Sequence, residues 1–167
     1  MIPQPGREIL DCRFQIADLF LQPVRTIGTY TGIMTVKPHY IGSLRSTMEL
    51  QNTSQLTNRR CVPCEGGVEA CAIEHSRQQL TALDDWQLDD SGRVIWREWR
   101  LKNFVQAMKL VNAAADLAEV EQHHPDLHVT GYRQVRIELT THAIGGLSEN
   151  DFILASKIDA AAKDLGL

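Results

Sequence analysis

The sequence predicts an α+β fold in which helices cover one face of a four-stranded antiparallel sheet, in the order α-β-β-α-β-β-α. Three patterns predict it. Residues 103–122 repeat apolar side chains at the i, i+3, i+4, i+7 spacing of an amphipathic helix. Residues 134–141 alternate apolar and polar side chains, as a half-buried strand does. Short turns separate the strands of each predicted pair, and such turns join antiparallel neighbours.

The elements of the first half follow from local signals. A helix is predicted over residues 68–83 and ends at the pair Asp84-Asp85. Two strands over residues 86–88 and 93–101 flank the turn Asp89-Asp90-Ser91-Gly92, whose residue types favour a hairpin connection.

The second half has clearer boundaries. Asn103 is a side-chain cap for the long helix, and Pro125 stops that helix. A strand over residues 127–130 precedes the alternating strand, with Gly131 in the turn between them. Ser148 begins the last helix. The inward side of that helix is predicted to hold Phe152, Ala155, Ile158, Ala162 and Leu165.

The N-terminal part differs from the rest. Residues 1–55 are predicted to form a poorly ordered arm, with one short helix around residues 12–20, and residues 56–167 to form the domain. Four of the six prolines lie in the first 47 residues, which hold five basic and three acidic side chains. One hypothesis is that Met48 is the natural start of the protein, and a targeting peptide is the rival interpretation.

The composition excludes several classes of protein. The 167 residues are 43% hydrophobic, enough for one core, and the net charge of −4 argues against a nucleic-acid binder with a broad basic face. No apolar run reaches the ~18 residues of a membrane span. No secretory signal is evident, so we expect a cytoplasmic protein with reduced thiols at its four cysteines.

Three histidines and one aspartate carry the predicted chemistry. His123 and His124 end the long helix, His142 lies at the end of the last strand, and Asp151 lies in the first turn of the last helix. Histidine is the side chain best matched to proton transfer near neutral pH. Since these element ends can line one pocket from two sides, the pattern predicts an acid–base site.

Other interpretations of these residues stay open. A histidine pair is equally typical of a polar helix terminus, and Asp151 completes a capping box with Ser148. Three histidines also bind catalytic zinc. However, adjacent histidines on a regular backbone point in different directions, and no H-E-x-x-H motif is present, so we expect no metal.

The cysteines and a tryptophan give weaker candidates. Cys61-Val62-Pro63-Cys64 is a lone C-x-x-C that, with Cys71 and His75, can close a small metal site, although a reduced lead-in to the first helix is the favoured interpretation. Trp86 is predicted to pack in the core or an interface, and a flat aromatic ring can also stack on a planar ligand.

The residues around the histidines resemble the signature of the pterin-4a-carbinolamine dehydratases. The resemblance lies in Glu119-x-x-x-His123-His124-Pro125, in Thr141-His142-Ala143-Ile144-Gly145-Gly146-Leu147, and in Asp151. It also includes Glu65-Gly66-Gly67-Val68, Trp86 and residues 97–104, and it runs from Cys61 to Leu165. Trp99 and Leu101 depart from it, because the family often has Phe at both positions.

The resemblance implies a hydro-lyase that converts 4a-hydroxytetrahydropterin to quinonoid dihydropterin and water. This reaction recycles the cofactor spent by aromatic amino-acid hydroxylases, which are the implied pathway partner, in tetrahydrobiopterin metabolism. Members need no metal or other cofactor and form homodimers or homotetramers. The alternative is a dehydratase-like binding or assembly factor, since animal relatives also bind a transcription factor and some plant and bacterial relatives resemble assembly factors.

The resemblance also suggests residue roles. We expect His123 and His142 to exchange protons with the substrate, His124 to position the pterin, and Asp151 to orient a histidine. Substrate contacts are expected from Glu119, Pro125, Thr141 and Trp86, with backbone groups near Thr141 binding the amide edge of the pterin.

Overall fold

A computed structural model of the chain describes residues 48–63 and 67–167. These residues belong to one unit of the chain, Leu44–Leu167. The predicted arm lies largely outside the described residues, and the short helix predicted around residues 12–20 lies wholly outside them. The division predicted after residue 55 therefore stays a prediction.

The order of elements confirms the predicted α+β fold class. The elements are α1 (Thr53–Asn58), α2 (Ile73–Leu80), β1 (Gln87–Leu88), β2 (Ile95–Arg100), α3 (Phe104–Glu121), β3 (Asp126–Thr130), β4 (Gln134–Leu139), a 3₁₀ turn (His142–Ile144) and α4 (Glu149–Asp164). Helix α1 and the 3₁₀ turn are additions to the predicted order.

The four strands form one antiparallel sheet with the spatial order β1-β2-β4-β3. In the central pair, Ile95 lies opposite Leu139 and Trp99 lies opposite Val135. These four side chains are buried together with Ile137, so the inner face of the sheet forms half of the core. The helices supply the other half, which confirms that they gather on one face.

Helices α3 and α4 pack against each other and against this inner face. Helix α3 begins at Asn103, whose Oδ1 accepts from the Gln106 backbone N–H at 3.0 Å, as predicted for the cap. Its buried stripe follows helical spacing and consists of Ala107, Leu110, Ala114, Ala118 and Glu121. The predicted inward residues of α4 are buried at Phe152, Ala155, Ile158 and Ala162, whereas Leu165 is 40% exposed.

The predicted first helix is shorter than expected. Only Ile73–Leu80 is helical, and the backbone N–H groups of Thr81, Ala82 and Leu83 instead bond to carbonyls three residues earlier. Before the helix, the Cys71 N–H donates to the Leu147 carbonyl at 2.8 Å. This long-range bond holds the preceding segment outside the helix.

The described residues before Cys71 are anchored on α4. Leu56 of α1 is 1% exposed, and Arg59 pairs with Glu149 at 2.8 Å. Residues 51–59 therefore contact the start of the last helix, where Asp151 lies. Within residues 48–63 and 67–167, no helix is both long and apolar enough to cross a bilayer.

Candidate active site

The centre of the site is a buried pair of His123 and Asp151. Nε2 of His123 lies 2.7 Å from Oδ1 of Asp151, although the residues are 28 positions apart in sequence. His123 is 4% exposed and Asp151 is 0% exposed. A charged or polar pair this deep is stable only when its atoms are hydrogen-bonded, and both of these residues are.

The end of α3 explains how His123 reaches the interior. Gln122 adopts the left-handed conformation with φ of 53°, and the His123 N–H donates to the Ala118 carbonyl at 3.2 Å. This geometry closes a helix C-terminus and turns the chain back under its last turn. The sequence around Pro125 predicted the helix end but not this reversal.

The second carboxylate oxygen of Asp151 is bound from two other sides. Oδ2 lies 2.8 Å from the Thr141 hydroxyl and accepts the Ser148 backbone N–H at 2.8 Å. The latter bond belongs to the predicted capping box of α4. Asp151 therefore has both the structural role and the histidine contact that the sequence left as alternatives.

His124 has a different environment from its neighbour. It is exposed, and its Nε2 lies 3.0 Å from Oε1 of Glu119, one turn earlier in α3. The two adjacent histidines thus point in different directions, as expected. The Glu119 carboxylate binds His124, whereas the Asp151 carboxylate binds His123.

His142 is the first residue of the 3₁₀ turn and is exposed. It directly follows Thr141, whose backbone forms an antiparallel bridge to Gly146. Gly145 closes the turn with φ of 61°, a conformation that favours glycine. His142 therefore lies one residue from the hydroxyl that binds Asp151. Pro125 is half-buried immediately before β3.

Trp86 lies in the core. It is 6% exposed, its Nε1 donates to Oδ1 of Asp159 at 2.8 Å, and its ring meets Trp99 edge-on with centroids 6.0 Å apart. Burial raises the pKa of Asp159, against the opposing hydrogen bond from Trp86 and charge of Arg97. These contacts agree with the packing interpretation, and stacking of Trp86 on a pterin stays a prediction.

Two buried polar residues beside the site were missed by sequence reasoning. Glu121 accepts the Cys61 N–H at 2.8 Å and the Lys157 ammonium at 2.7 Å. Asn150 binds both the N–H and the carbonyl of Val62, at 3.0 and 2.8 Å. The segment at Cys61 and Val62 therefore bridges the helix ends that carry His123 and Asp151. The only sequence signal was position, since Glu121 lies two residues before His123 and Asn150 directly precedes Asp151.

The two cysteines that the structure describes, Cys61 and Cys71, are poorly suited to nucleophilic chemistry. Burial raises the pKa of the Cys61 thiol to about 12, with a further contribution from Glu121, and burial and Asp151 raise that of Cys71 to about 12 as well. Cys64, the partner in the C-x-x-C motif, lies outside the described residues. Among residues 48–63 and 67–167, no three His, Cys, Asp or Glu side chains converge on a possible metal position.

Asn150 also lines an open cavity of about 600 Å³. Its lining includes Met48, Val62, Glu149 and Asn150, and it includes none of the three histidines predicted to act. The His123–Asp151 pair and this cavity therefore both involve residues at the start of α4.

The sequence profile of the pterin 4 alpha carbinolamine dehydratase family matches residues 70–161. The chain belongs to this family. The match covers more than half of the chain and contains every residue of the site described above except Cys61 and Val62. Membership identifies the chain as a dehydratase homologue with pterin-related chemistry.

Relatives in the carbinolamine dehydratase family are similar over nearly the full length of a bacterial protein and about two thirds of a plant protein. A protein of Nitrosomonas eutropha, provisionally named a pterin-4-alpha-carbinolamine dehydratase, is 50% identical over 111 residues, 66% of this chain and 96% of that protein. The mitochondrial pterin-4-alpha-carbinolamine dehydratase 2 of Arabidopsis thaliana is 41% identical over 121 residues, 71% of this chain and 65% of that protein.

A solved structure supports the same fold. The transcriptional coactivator/pterin dehydratase of Brucella melitensis aligns with a TM-score of 0.54 and 33% identity. The alignment covers 56% of this chain and 99% of the Brucella chain. The domain of this dehydratase family therefore corresponds to the described α+β unit.

Proposed function

We propose that the protein dehydrates 4a-hydroxytetrahydropterin to quinonoid dihydropterin by histidine acid–base catalysis, in tetrahydropterin recycling. The observation that carries this proposal is the buried His123–Asp151 pair, 2.7 Å apart, in a chain of the dehydratase family. The proposed pathway partner is an aromatic amino-acid hydroxylase, because such an enzyme releases the carbinolamine.

The reaction needs two proton transfers. The hydroxyl on the 4a carbon leaves as water after it receives a proton, since hydroxide is a poor leaving group. A proton leaves a ring nitrogen, and its electron pair forms the new double bond. One histidine donates the proton to the leaving hydroxyl and another accepts the ring proton, so the net reaction releases one water. Proton exchange with solvent then returns both histidines to their starting states.

We assign the transfers to His123 and His142, with His124 positioning the pterin. The contact between Asp151 and His123 supports the proposal that Asp151 orients a histidine. Because an ionised carboxylate only accepts, Nε2 of His123 carries a proton in this arrangement.

Four residues are proposed to contact the pterin. Glu119 contacts it together with His124, whose ring the Glu119 carboxylate binds at 3.0 Å. In sequence, Pro125 directly follows His124 and Thr141 directly precedes His142. Of the four, Trp86 should be tested first. Its ring already packs against Trp99, and this packing competes with the proposed stacking on the pterin.

The test is stopped-flow dehydration of a 4a-hydroxytetrahydropterin by wild type, His123→Ala and His128→Ala. His128 is a matched control, because it is an exposed histidine on β3 whose neighbour is Glu138. We expect His123→Ala to lose on the order of 10²- to 10⁴-fold in rate, typical for one general acid or base, and His128→Ala to match wild type. A wild type no faster than buffer would overturn the proposal.

A second candidate is a binding or assembly role, alone or beside catalysis. The similarity to the Brucella protein, which is named a transcriptional coactivator as well as a pterin dehydratase, favours it. Co-precipitation with and without residues 1–47 tests whether the N-terminal segment recruits a partner. Light scattering of the same samples tests the proposed homodimer or homotetramer.

A further inference from the structure

Four buried polar side chains form one continuous chain of hydrogen bonds. The Thr141 hydroxyl lies 2.7 Å from the Ser148 hydroxyl and 2.8 Å from Oδ2 of Asp151, and Oδ1 of Asp151 lies 2.7 Å from Nε2 of His123. The four residues are between 0% and 4% exposed. Because this region is shielded from bulk water, the groups must satisfy one another.

The direction of each hydrogen bond follows from which of the four groups carry a proton to donate. The Asp151 carboxylate accepts only, so the single Thr141 proton goes to Asp151. The Ser148 hydroxyl must then donate to the Thr141 oxygen, and its own oxygen accepts the Asn150 N–H at 3.3 Å. The result is a single ordered arrangement, in which Ser148 fixes Thr141 and Thr141 fixes Asp151.

This arrangement joins three separate elements. His142 follows Thr141 at the end of β4, Asp151 lies at the start of α4, and His123 follows the end of α3. The Thr141 hydroxyl links the turn that carries His142 to Asp151, and Asp151 in turn binds His123. The positions of the two proposed proton-transfer histidines are therefore coupled through one hydroxyl group.

We propose that Thr141 is a positioning residue for the reaction, acting through Asp151, and that Ser148 holds its hydroxyl in place. The inference rests on the proposed function and deepens it. In this proposal the Thr141 hydroxyl binds Asp151, so only the backbone of Thr141 is left to contact the pterin. Acid–base catalysis is sensitive to misplacement, since a displacement of about 1 Å can cost about 10²-fold in rate.

The experiment compares Thr141→Val, Thr141→Ser and Thr140→Val. Val keeps the shape and removes the hydroxyl, whereas Ser restores it. Thr140 is the matched control, because its hydroxyl donates to the Arg93 carbonyl at 2.9 Å and not to Asp151. Each variant is measured for kcat, KM and thermal unfolding, and the ring N–H resonance of His123 is recorded in histidine-labelled protein.

We expect Thr141→Val to lower kcat by roughly 10- to 100-fold with little change in KM, and to shift or broaden the His123 resonance. Thr141→Ser should recover most of kcat and the resonance, and Thr140→Val should match wild type in both. Should Thr141→Val not fold, Ser148→Gly replaces it, because Gly at an N-cap costs only a few tenths of a kcal/mol. A smaller loss in the same sense is then expected.

Three results would overturn the inference. They are an unchanged kcat in Thr141→Val, a change confined to KM, and a Thr141→Ser variant as slow as Thr141→Val. If wild type lacks dehydratase activity, the proposed function fails, and the His123 resonance alone decides whether Thr141 positions the pair. If wild type is active and Thr141→Val matches it, only this inference fails.

Discussion

The adjacent residues His123 and His124 have opposite environments, and this contrast organises the site at the residue scale. His123 is buried in contact with Asp151, whereas the His124 side chain is 60% exposed and pairs with an exposed Glu119. An exposed polar contact of this kind contributes little stability, while removal of one partner from a buried bond leaves a polar group unsatisfied.

Replacing each of the two histidines in turn should reveal this difference in environment as a difference in the free energy of unfolding. We expect His123→Ala to lower the free energy of unfolding by about 1–3 kcal/mol, because Asp151 loses a buried partner. His124→Ala should stay within about 0.5 kcal/mol of wild type. Urea unfolding measures both, and equal losses in the two variants would contradict the difference in burial.

The two described cysteines should be slow to react. Since burial raises the pKa of Cys61 and Cys71 to about 12, both thiols stay protonated at pH 8 in the folded protein. We expect peptide mapping after brief iodoacetamide treatment to find them largely unmodified, and to find them modified once the protein is denatured. Alkylation of the folded protein at the rate of a model thiol would contradict this.

At the scale of elements, the end of α3 depends on an unfavourable backbone conformation. Gln122 has φ of 53° and a side chain, whereas glycine adopts this conformation without steric cost. Gln122→Gly should therefore be more stable than Gln122→Ala by about 1 kcal/mol, with both variants lacking the side-chain bond to the Glu119 carbonyl. Thermal unfolding of the pair decides, and a more stable Ala variant would show that this geometry is not retained.

The β1–β2 turn should make stability depend on pH in the acid range. Burial raises the pKa of Asp89, but hydrogen bonds from the Ser91 hydroxyl and from the backbone of Val94, Arg93 and Ser91 together outweigh it and lower the pKa to about 2. The unfolded chain binds this proton more tightly, so the stabilisation is present above about pH 4 and is lost as the pH falls towards 2. Asp89→Ala should be less stable at pH 7 and lose less stability between pH 4 and 2, and an unchanged slope would contradict the assignment.

At the scale of the whole molecule, repeated patterns could be predicted and single contacts could not. Helix α3 and strand β4 each repeat their period over their whole length, so tertiary packing agrees with the local signal. Helix α1 has six residues and one buried side chain, Leu56, which gives no period to detect. The shortened α2 depends on a bond from Cys71 to Leu147 that no local pattern contains.

The site shows the same division between what a sequence pattern predicts and what single long-range contacts determine. The residue types and their order predicted His123, His142 and Asp151 as one group, and the structure brings His123 and Asp151 into direct contact. The bonds from Glu121 to Cys61 and from Asn150 to Val62 join positions 60 and 88 residues apart. Such contacts arise only once the sheet has placed the ends of α3 and α4 side by side.

The central proposal is that His123 and His142 carry out acid–base dehydration of a pterin carbinolamine. The most direct test is the rate of 4a-hydroxytetrahydropterin dehydration near neutral pH, measured for wild type, for His142→Ala and without protein. We predict clear acceleration by wild type and a loss on the order of 10²- to 10⁴-fold in His142→Ala, which should retain its fold because His142 is exposed. Equal rates for wild type and His142→Ala would contradict the account.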